Sequence, residues 1–309
     1  MKYFHQQKCR FRNPVITMGT FDGSHTGHQK LLSELRKRAD TRNCQAIVVT
    51  YYHHPLETIH RKTFPYLLTE RHEKEQLLKE YGADCVLYLD FNSEMAEMEP
   101  EEFLRKVIVE SLEPSEIVVG YDTHFGRKRQ GDFDLLKAYE KKYNYTADLI
   151  SAHSVNGEIV SSSKIRDLVR EGDMQKVKIF LGRNYSLPGK VVSGHRIGRT
   201  LGFPTINLEP EDTNKLIPAL GVYVTQVKID NKIFGGVTNV GYSPTIKRTG
   251  IKEVETHLLE FSGNLYDKEV ELIFLKRLRD EIKYTNKEQL IKQIGIDVNM
   301  SEEFLANLK

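Results

Sequence analysis

The spacing of the apolar residues changes near residue 184, and this change constrains the fold more than any other feature of the chain. Before it, short apolar runs alternate with segments whose apolar residues recur at helical spacing, which predicts a parallel sheet with helices on both faces. After it, several strand-like runs follow one another within about 90 residues, separated by turn residues. Closely spaced strands of this kind predict a closed antiparallel barrel.

The change in pattern divides the 309 residues into two predicted domains, 1–183 and 184–309. The predicted strands of the first, a doubly wound α/β domain, are Val15–Met18, Ala46–Tyr51, Cys85–Leu89, Ile117–Gly120 and Thr146–Ser151. Its predicted helices are Gln29–Ala39, Thr69–Glu80, Glu101–Ser111 and Asp132–Lys142, with a hairpin turn at Asn156-Gly157. The predicted barrel strands are Pro188–Val192, Gly221–Thr225, Phe234–Val237, Val254–Phe261 and Val270–Leu275. Asn286 and Ser301 are predicted to cap C-terminal helices.

The charge balance argues against a nucleic-acid partner, because the net charge is only +2 and the basic residues form no broad positive field. The run Arg127-Lys128-Arg129 is a local exception. No apolar run approaches membrane length and the first residues are too polar for a secretory signal, so we expect a cytoplasmic protein without a membrane partner. Cys9, Cys44 and Cys85 are few and widely spaced, which predicts reduced thiols.

The segment Gly19–His28 joins a strand-like run to a predicted helix and contains two histidines. Its glycines allow a tight turn, and a helix N-terminus stabilises an anion through unpaired backbone N–H groups. His25 and His28 add donors on one helical face, so the segment predicts a polyphosphate site. A metal site is the alternative, to which His53 and His54 would contribute, although adjacent residues of an extended chain point to opposite sides.

Polar clusters follow two other predicted strands, at His53-His54-Pro55 and Tyr121–His124. Because ligands of parallel sheets bind beyond the carboxyl ends of the strands, we expect these clusters to meet the histidine turn at one edge. A later helix opens at Ser161–Arg166, where hydroxyls and backbone amides form a second candidate phosphate site. Cations in its first turn oppose the helix dipole, which favours an anionic ligand, whereas an ordinary N-cap serine is the alternative.

A glycine-spaced basic loop, Gly194–Asn207, is the candidate site of the second domain. Glycine lets backbone N–H groups approach a phosphate, and Thr205 and Asn207 offer oxygen ligands of the kind that Mg²⁺ prefers. The loop lacks the Gly-Lys-Ser/Thr ending of the Walker pattern. Strand alternation places Glu255 on a partly apolar face, where a carboxylate is a candidate base and an ordinary surface glutamate is the alternative.

In this order, the motifs resemble the bifunctional riboflavin kinase/FMN adenylyltransferase family over nearly the whole chain. Gly19–His28 matches the family's Gly-x-Phe-Asp-Gly-x-His-x-Gly-His, and Gly120–Gly126 matches Gly-x-Asp-x-x-Phe-Gly. Ser161–Arg166 is similar to Ser-Ser-Thr-x-Ile-Arg, and Gly198–Asn207 matches Gly-Arg-x-Leu-Gly-Phe-Pro-Thr-x-Asn. Further segments continue in family order: Asn239–Thr245, Glu255-Thr256-His257, Leu265-Tyr266 and Arg279-Asp280-Glu281.

The resemblance implies a nucleotidyltransferase-like sheet domain and a riboflavin kinase-like barrel. The barrel would phosphorylate riboflavin to FMN, with ATP as co-substrate, Mg²⁺ as cofactor and ADP as product. The sheet domain would adenylylate FMN to FAD with release of pyrophosphate. A ribityl hydroxyl needs a base to remove its proton, whereas the FMN phosphate, with a second pKa of about 6, is already an anion at neutral pH.

The resemblance also implies the site residues. The ATP site of the adenylyltransferase would comprise Gly19, Phe21, Asp22, His25, His28, Arg127, Ser162, Ser163 and Arg166, with His54 and Asp122 on the flavin side. The ATP site of the kinase would comprise Gly194, Arg196, Gly198, Thr205 and Asn207, of which Thr205 and Asn207 would hold Mg²⁺. Glu255 would be the kinase base, His25 and His28 would stabilise charge in adenylyl transfer, and Arg279 would lie on a flavin-side loop.

The chain departs from the family pattern at Thr50–Pro55, where Thr-Tyr-Tyr-His-His-Pro stands in place of Thr-Phe-Asp-Pro-His-Pro. The departure removes an acid near the expected flavin side. A riboflavin kinase with a drifted first domain is therefore one alternative function. A flavin-sensing protein without catalysis is another, although Glu255, Thr205 and His28 are intact and argue against it.

Overall fold

The computed structural model describes residues 3–5, 9–59, 66–194, 198, 201–242 and 252–308, with the backbone alone at 58 and 59. These residues form two compact units, Met1–Ser162 and Ser163–Lys309. Residues 163–183 therefore fall within the second compact unit.

The first unit contains a five-stranded parallel sheet in the order β3-β2-β1-β4-β5. Its strands are β1 Val15–Met18, β2 Ala46–Tyr51, β3 Cys85–Leu89, β4 Glu116–Gly120 and β5 Thr146–Ile150. The runs β1 and β3 are buried along their whole length, as expected for strands covered by helices on both faces. The predicted parallel sheet is therefore confirmed.

Helices cover both faces of this sheet. They are α1 Thr26–Thr41, α2 Pro55–Ile59, α3 Arg71–Glu80, α4 Ser93–Ala96, α5 Pro100–Phe103, a π-helical turn Leu104–Val109, α6 Glu110–Leu112, a 3₁₀ turn Arg127–Arg129 and α7 Phe133–Tyr143. Val15 packs with Leu32 of α1 and Leu78 of α3, whereas the next residue, Ile16, packs with the α5–α6 segment and α7. The hairpin β6 Ser154–Val155 and β7 Glu158–Ile159 turns at Asn156-Gly157, as predicted.

Cys9 and Cys85 form a disulfide, so the prediction of three reduced thiols is wrong for this pair. Their Cα atoms lie 6.3 Å apart although 76 residues separate them in the sequence. Only Cys44 is a free thiol among the described residues. Near the other end of β3, Phe4 forms an antiparallel bridge with Leu89. Widely spaced cysteines carry no sequence signal for pairing, because tertiary placement alone brings them together.

The second unit is a closed six-stranded antiparallel barrel in the order β10-β11-β12-β9-β8-β13. Its strands are β8 Tyr185–Val192, β9 Thr205–Pro210, β10 Gly221–Ile229, β11 Lys232–Tyr242, β12 Lys252–Leu258 and β13 Glu269–Arg279. The helices α8 Ser162–Glu171 and α9 Met174–Leu181 precede the barrel, and α10 Lys287–Ala306 follows it. The predicted barrel is confirmed, but Thr205 and Asn207, predicted at the end of a loop, belong to a strand.

The interior of the barrel is mostly apolar but contains three threonines, and α10 covers one patch of the outer surface. Thr225, Thr238 and Thr256 are buried and linked by two hydrogen bonds of 2.8 Å. On the outside, Val222, Val237 and Leu259 pack with residues of α10. The Asn286 side chain caps α10, as predicted. Ser301 lies inside the same helix and donates to the Asp297 carbonyl at 2.8 Å, so the prediction of a second cap there is wrong.

Candidate active sites

His25 and His28 lie at the start of α1, beyond the carboxyl end of β1. His25 is the N-cap residue, and its Nδ1 accepts a hydrogen bond from the backbone N–H of His28 at 3.3 Å. The two rings stack with centroids 3.6 Å apart and planes 13° from parallel. Because Nδ1 of His25 accepts, the ring proton lies on Nε2. His25 can therefore present an N–H donor without carrying a charge.

His28 is neutral at pH 7. Burial, together with the charges of His25 and Lys74, lowers its pKa well below the usual 6.5. Its Nδ1 atom is buried and has no hydrogen-bond partner in the described part of the chain. The catalytic role of the two histidines stays a prediction, but the lowered pKa makes His28 a neutral hydrogen-bond donor rather than a cation at pH 7.

Asp22 fixes the turn that carries these histidines. Its carboxylate accepts hydrogen bonds from the backbone N–H groups of Leu68 and Thr69, both at 3.0 Å, and from the Thr69 hydroxyl at 3.2 Å. Its carbonyl oxygen accepts from Ser162 Oγ at 2.8 Å, at the start of α8. The Asp22 side chain, predicted to contact ATP, thus holds the turn against the segment that precedes α3.

The Phe21 ring packs against the same turn. The ring is buried and lies 5.0 Å from the His28 ring, centroid to centroid. A Cβ atom at Gly19 would lie only 3.2 Å from this ring, so a glycine there lets Phe21 pack under the turn. The predicted ATP contacts of Gly19 and Phe21 stay predictions.

Lys74 of α3 reaches this edge of the sheet and is not among the predicted site residues. Its Nζ lies 3.5 Å from the Thr20 carbonyl oxygen, 3.4 Å from the Tyr51 carbonyl oxygen and 3.4 Å from Thr50 Oγ1. Burial lowers the pKa of Lys74 to about 8, against an opposing effect of the Asp22 charge. A sequence signal exists: Lys74 stands four residues before the buried Leu78, so helical spacing places a cation on the core side of α3.

The predicted flavin-side residues follow β2 and β4 at the same edge. His54 Nδ1 accepts from the Leu56 backbone N–H at 3.2 Å, at the start of α2. Asp122 is exposed beyond the end of β4. His53 is exposed and lies 3.4 Å from Glu57. Across the described ranges, no group of three or more His, Cys, Asp or Glu residues is placed to hold a metal ion, so the structure offers no support for the metal alternative.

Tyr52 stands where the family pattern has an aspartate. Its ring centroid lies 4.0 Å from that of His5, and the Arg71 guanidinium carbon lies 4.2 Å from it. The departure at Thr50–Pro55 therefore exchanges an acid for an aromatic ring that holds N-terminal residues and α3 together.

Arg127, Ser163 and Arg166 are the other predicted phosphate ligands of the first site. Arg127 pairs with Glu97 at 3.1 Å and with Glu99 at 3.0 Å, so binding a phosphate requires it to exchange these partners. Ser163 and Arg166 belong to the second compact unit, in which Arg166 is buried.

The barrel site is assembled by strand register. Glu255 of β12 lies opposite Asn207 of β9 on one side and opposite Asn239 of β11 on the other. Thr205 Oγ1 donates a hydrogen bond of 2.5 Å to Glu255 Oε1. Asn239 is not among the predicted site residues, because the sequence does not reveal which strands are neighbours. All four side chains are half-buried on the outer face of the barrel.

Gly194 and Gly198 of the predicted nucleotide loop pack against Asn207 and Thr205. A side chain at Gly194 would overlap the Asn207 amide, and a Cβ atom at Gly198 would lie 3.0 Å from Thr205 Oγ1. The loop therefore rests on Thr205 and Asn207 at its described residues. Arg196 lies outside the described residues.

Arg279 is the last residue of β13 rather than part of a loop, so that prediction is wrong. Its guanidinium binds the buried carboxylate of Asp297, with Nη2 2.6 Å from Oδ2 and Nε 3.0 Å from Oδ1. Gln293 donates to the same carboxylate at 3.0 Å. Arg279 thus ties the barrel to α10, and its flavin contact stays a prediction.

Comparisons with known proteins agree with this architecture. The sequence model of the FAD synthetase family matches residues 7–164, and that of the riboflavin kinase family matches residues 181–305. A bifunctional riboflavin kinase/FMN adenylyltransferase from Pseudomonas fluorescens is 34% identical over 302 residues, 98% of this chain and 96% of that protein. This chain belongs to the bifunctional riboflavin kinase/FMN adenylyltransferase family. Family members of the same description from Haemophilus influenzae and Escherichia coli (strain K12) are 34% and 32% identical, covering 94% and 96% of this chain and 94% of each relative.

A solved structure extends the likeness to the fold. The crystal structure of a protein from Streptococcus pneumoniae, described as a macrolide-efflux protein, has a TM-score of 0.85 at 28% identity and covers 94% of both chains. Efflux is said of that protein alone. Within the described part of the present family member, no helix has the length and apolar character needed to cross a membrane.

Proposed function

We propose that this chain carries out two successive ATP-dependent reactions, phosphorylation of riboflavin to FMN in the barrel and adenylylation of FMN to FAD in the sheet unit. The observation that carries the proposal is the contrast between the sites. One contains a hydrogen-bonded carboxylate, Glu255, and the other contains His25 and the neutral His28 at a helix N-terminus. The first suits a nucleophile that must lose a proton, and the second suits one that is already ionised.

In the kinase reaction, Glu255 takes the proton from the ribityl hydroxyl as its oxygen attacks the γ-phosphorus of ATP and ADP leaves. The 2.5 Å hydrogen bond from Thr205 orients the Glu255 carboxylate. The half-buried Thr205 and Asn207 offer a hydroxyl and an amide oxygen, and with ATP phosphates these fit the hard oxygen ligands that Mg²⁺ takes. Bound Mg²⁺ would offset the phosphate charge.

In the adenylyl transfer, an oxygen of the FMN phosphate attacks the α-phosphorus of ATP, the bond to the bridging oxygen breaks, and pyrophosphate leaves. No proton has to be removed, because the FMN phosphate is ionised at neutral pH. His25 donates through Nε2–H, and the N-terminal amides of α1 face the same anion. His28 supplies a second neutral donor beside it.

Product analysis tests the proposal. The purified full chain is incubated with ATP and Mg²⁺ and with either riboflavin or FMN, and flavins are separated by chromatography. We expect FMN and then FAD from riboflavin, and FAD with pyrophosphate from FMN. Accumulation of FMN without FAD would instead support a kinase with a drifted first domain. Binding without turnover of either flavin would support a flavin-sensing protein and contradict the proposal.

A further inference from the structure

Adenylyl transfer brings the FMN phosphate against the triphosphate of ATP, so its site needs fixed positive charge. His28 does not supply that charge, because its lowered pKa keeps it neutral at pH 7. Arg127, another predicted phosphate ligand, is paired with two glutamates. A further cation at this edge of the sheet would supply charge that these residues do not.

Lys74 lies between the turn that carries the histidines and the end of β2. On one side its Nζ contacts the carbonyl oxygen of Thr20, in the turn that leads to His25. On the other it contacts the carbonyl oxygen of Tyr51, at the end of β2, from which the predicted flavin-side residue His54 follows. The ammonium thus bridges the nucleotide side and the flavin side of the edge.

The partners of Lys74 are all neutral. Its three hydrogen-bond acceptors are two carbonyl oxygens and a hydroxyl, at 3.4 to 3.5 Å, and its charge also lies 5.7 Å from the Tyr88 ring centroid. No carboxylate of the described residues forms an ion pair with it. In contrast, Lys79, one turn later on α3, pairs with Glu75 at 2.6 Å.

A half-buried ammonium without an ion-pair partner is costly, so its presence needs an explanation. The nearby anion is Asp22, whose carboxylate is already bound by the amides of Leu68 and Thr69. We propose that Lys74 is the counter-charge for the phosphates that meet at this edge during adenylyl transfer. This inference rests on the proposed adenylyltransferase function and adds to it the residue that supplies charge.

The position of Lys74 makes the reaction sensitive to alkaline pH. The groups that face it are Asp22 from the turn, Arg71 from α3, His28 from α1 and Tyr88 from β3. With a pKa of about 8 in the unliganded protein, Lys74 loses its proton just above neutral pH. The kcat/KM of FAD formation reports the unliganded enzyme, so we expect it to fall as the pH rises past about 8.

Two variants of the full chain and one control test the inference. Lys74→Met is expected to lower kcat/KM for FAD formation from FMN by about a hundredfold or more, as removal of a transition-state donor does. Lys74→Arg keeps the charge at all pH values and is expected to retain activity to within about tenfold, without the alkaline fall near pH 8. The control Lys79→Met removes an exposed lysine of the same helix and should match the parent chain.

The pH profile separates a charge role from a structural one. An alkaline fall in Lys74→Arg like that of the parent chain would overturn the inference, as would Lys74→Met activity within about threefold of the parent. Thermal unfolding of each variant shows whether the first unit is folded, and if Lys74→Met is not, the Lys74→Arg profile decides alone. Absence of FAD formation by the parent chain would refute the adenylyltransferase function itself, which is a different result.

Discussion

The sheet unit and the barrel hold their candidate catalytic groups by different means. In the barrel, Asn207, Glu255 and Asn239 stand side by side because three neighbouring strands are in register, so the backbone ladder sets their spacing. In the sheet unit, the histidine turn is set by side-chain bonds from Asp22 to a distant loop. The base is thus placed by regular structure, whereas the phosphate donors lie at strand ends, where loops can approach a substrate.

The two sites also differ in charge. The barrel site centres on an anion, Glu255, which accepts a hydrogen bond from Thr205. The sheet site contains the neutral imidazole of His28 and the ammonium of Lys74, which forms no ion pair with a carboxylate in the described part of the chain. Under the proposed function, each site would supply what its nucleophile lacks: a proton acceptor for a hydroxyl, and positive charge for a phosphate.

Glu255→Gln is the strongest test of the separation between the sites. Loss of the base should lower FMN formation about a thousandfold, within the range for general-base catalysis, because an amide does not take the hydroxyl proton. FAD formation from added FMN should stay within about twofold, since the FMN phosphate needs no base. Rates are measured separately from riboflavin and from FMN. Loss of both activities would contradict the assignment of Glu255 to the kinase alone.

His28→Ala tests the same separation between the two sites through a residue of the sheet site. Removal of one neutral donor should lower FAD formation by about a hundredfold and leave FMN formation unchanged. The matched control is His72→Ala, which removes an exposed histidine from α3. A large effect of His28→Ala on the kinase rate would show that the two sites do not work separately.

A pair of variants, Thr205→Val and Thr205→Ser, separates the effect of the side-chain shape of Thr205 from that of its hydroxyl. Valine keeps the branched shape but loses the donor to Glu255, whereas serine keeps the donor. We expect FMN formation by the valine variant to be about tenfold slower than by the serine variant, because an unoriented carboxylate is a poorer base. Equal rates would assign the hydroxyl no role in positioning Glu255.

The smallest expected effect concerns stability and pH. The pKa of His28 is lowered in the folded chain, so below the usual value of 6.5 the unfolded chain binds more protons than the folded one. Stability should therefore be lost as the pH falls through 6.5 and below. Thermal unfolding between pH 8 and pH 5 measures this loss, which His28→Gln should reduce. An unchanged pH dependence in that variant would mean that His28 is not buried as a neutral group.

Much of the fold follows from local pattern. The strands β1, β2 and β3 begin and end at the predicted residues, because apolar runs buried on both faces leave a clear signal. Strand β9 is not predicted by the sequence pattern, because the glycines and the proline before Thr205 favour a loop. Ser301 carries the composition of a cap, but α10 continues through it and its hydroxyl bonds to the preceding turn instead.

The candidate sites were predictable in part. His25 lies at a helix start, as predicted, whereas Thr205, predicted at the end of a loop, lies on the strand next to that of Glu255. The role of Asp22 was not predictable, since it depends on a loop 46 residues away. Lys74 belongs to no motif: its spacing from Leu78 predicts that it faces the core, but only the packed structure shows which backbone groups it contacts.

Because the disulfide between Cys9 and Cys85 lies in the first unit, reducing conditions should affect the stability of the two units differently. By cross-linking residues 76 positions apart, it restricts the unfolded chain, and a loop of that length corresponds to roughly 4 kcal/mol of loop-closure entropy. All three cysteines of the chain precede residue 163, so the barrel has no thiol to oxidise. A reductant that opens this bond would lower the melting temperature of the FAD-forming half while leaving the FMN-forming half unaffected.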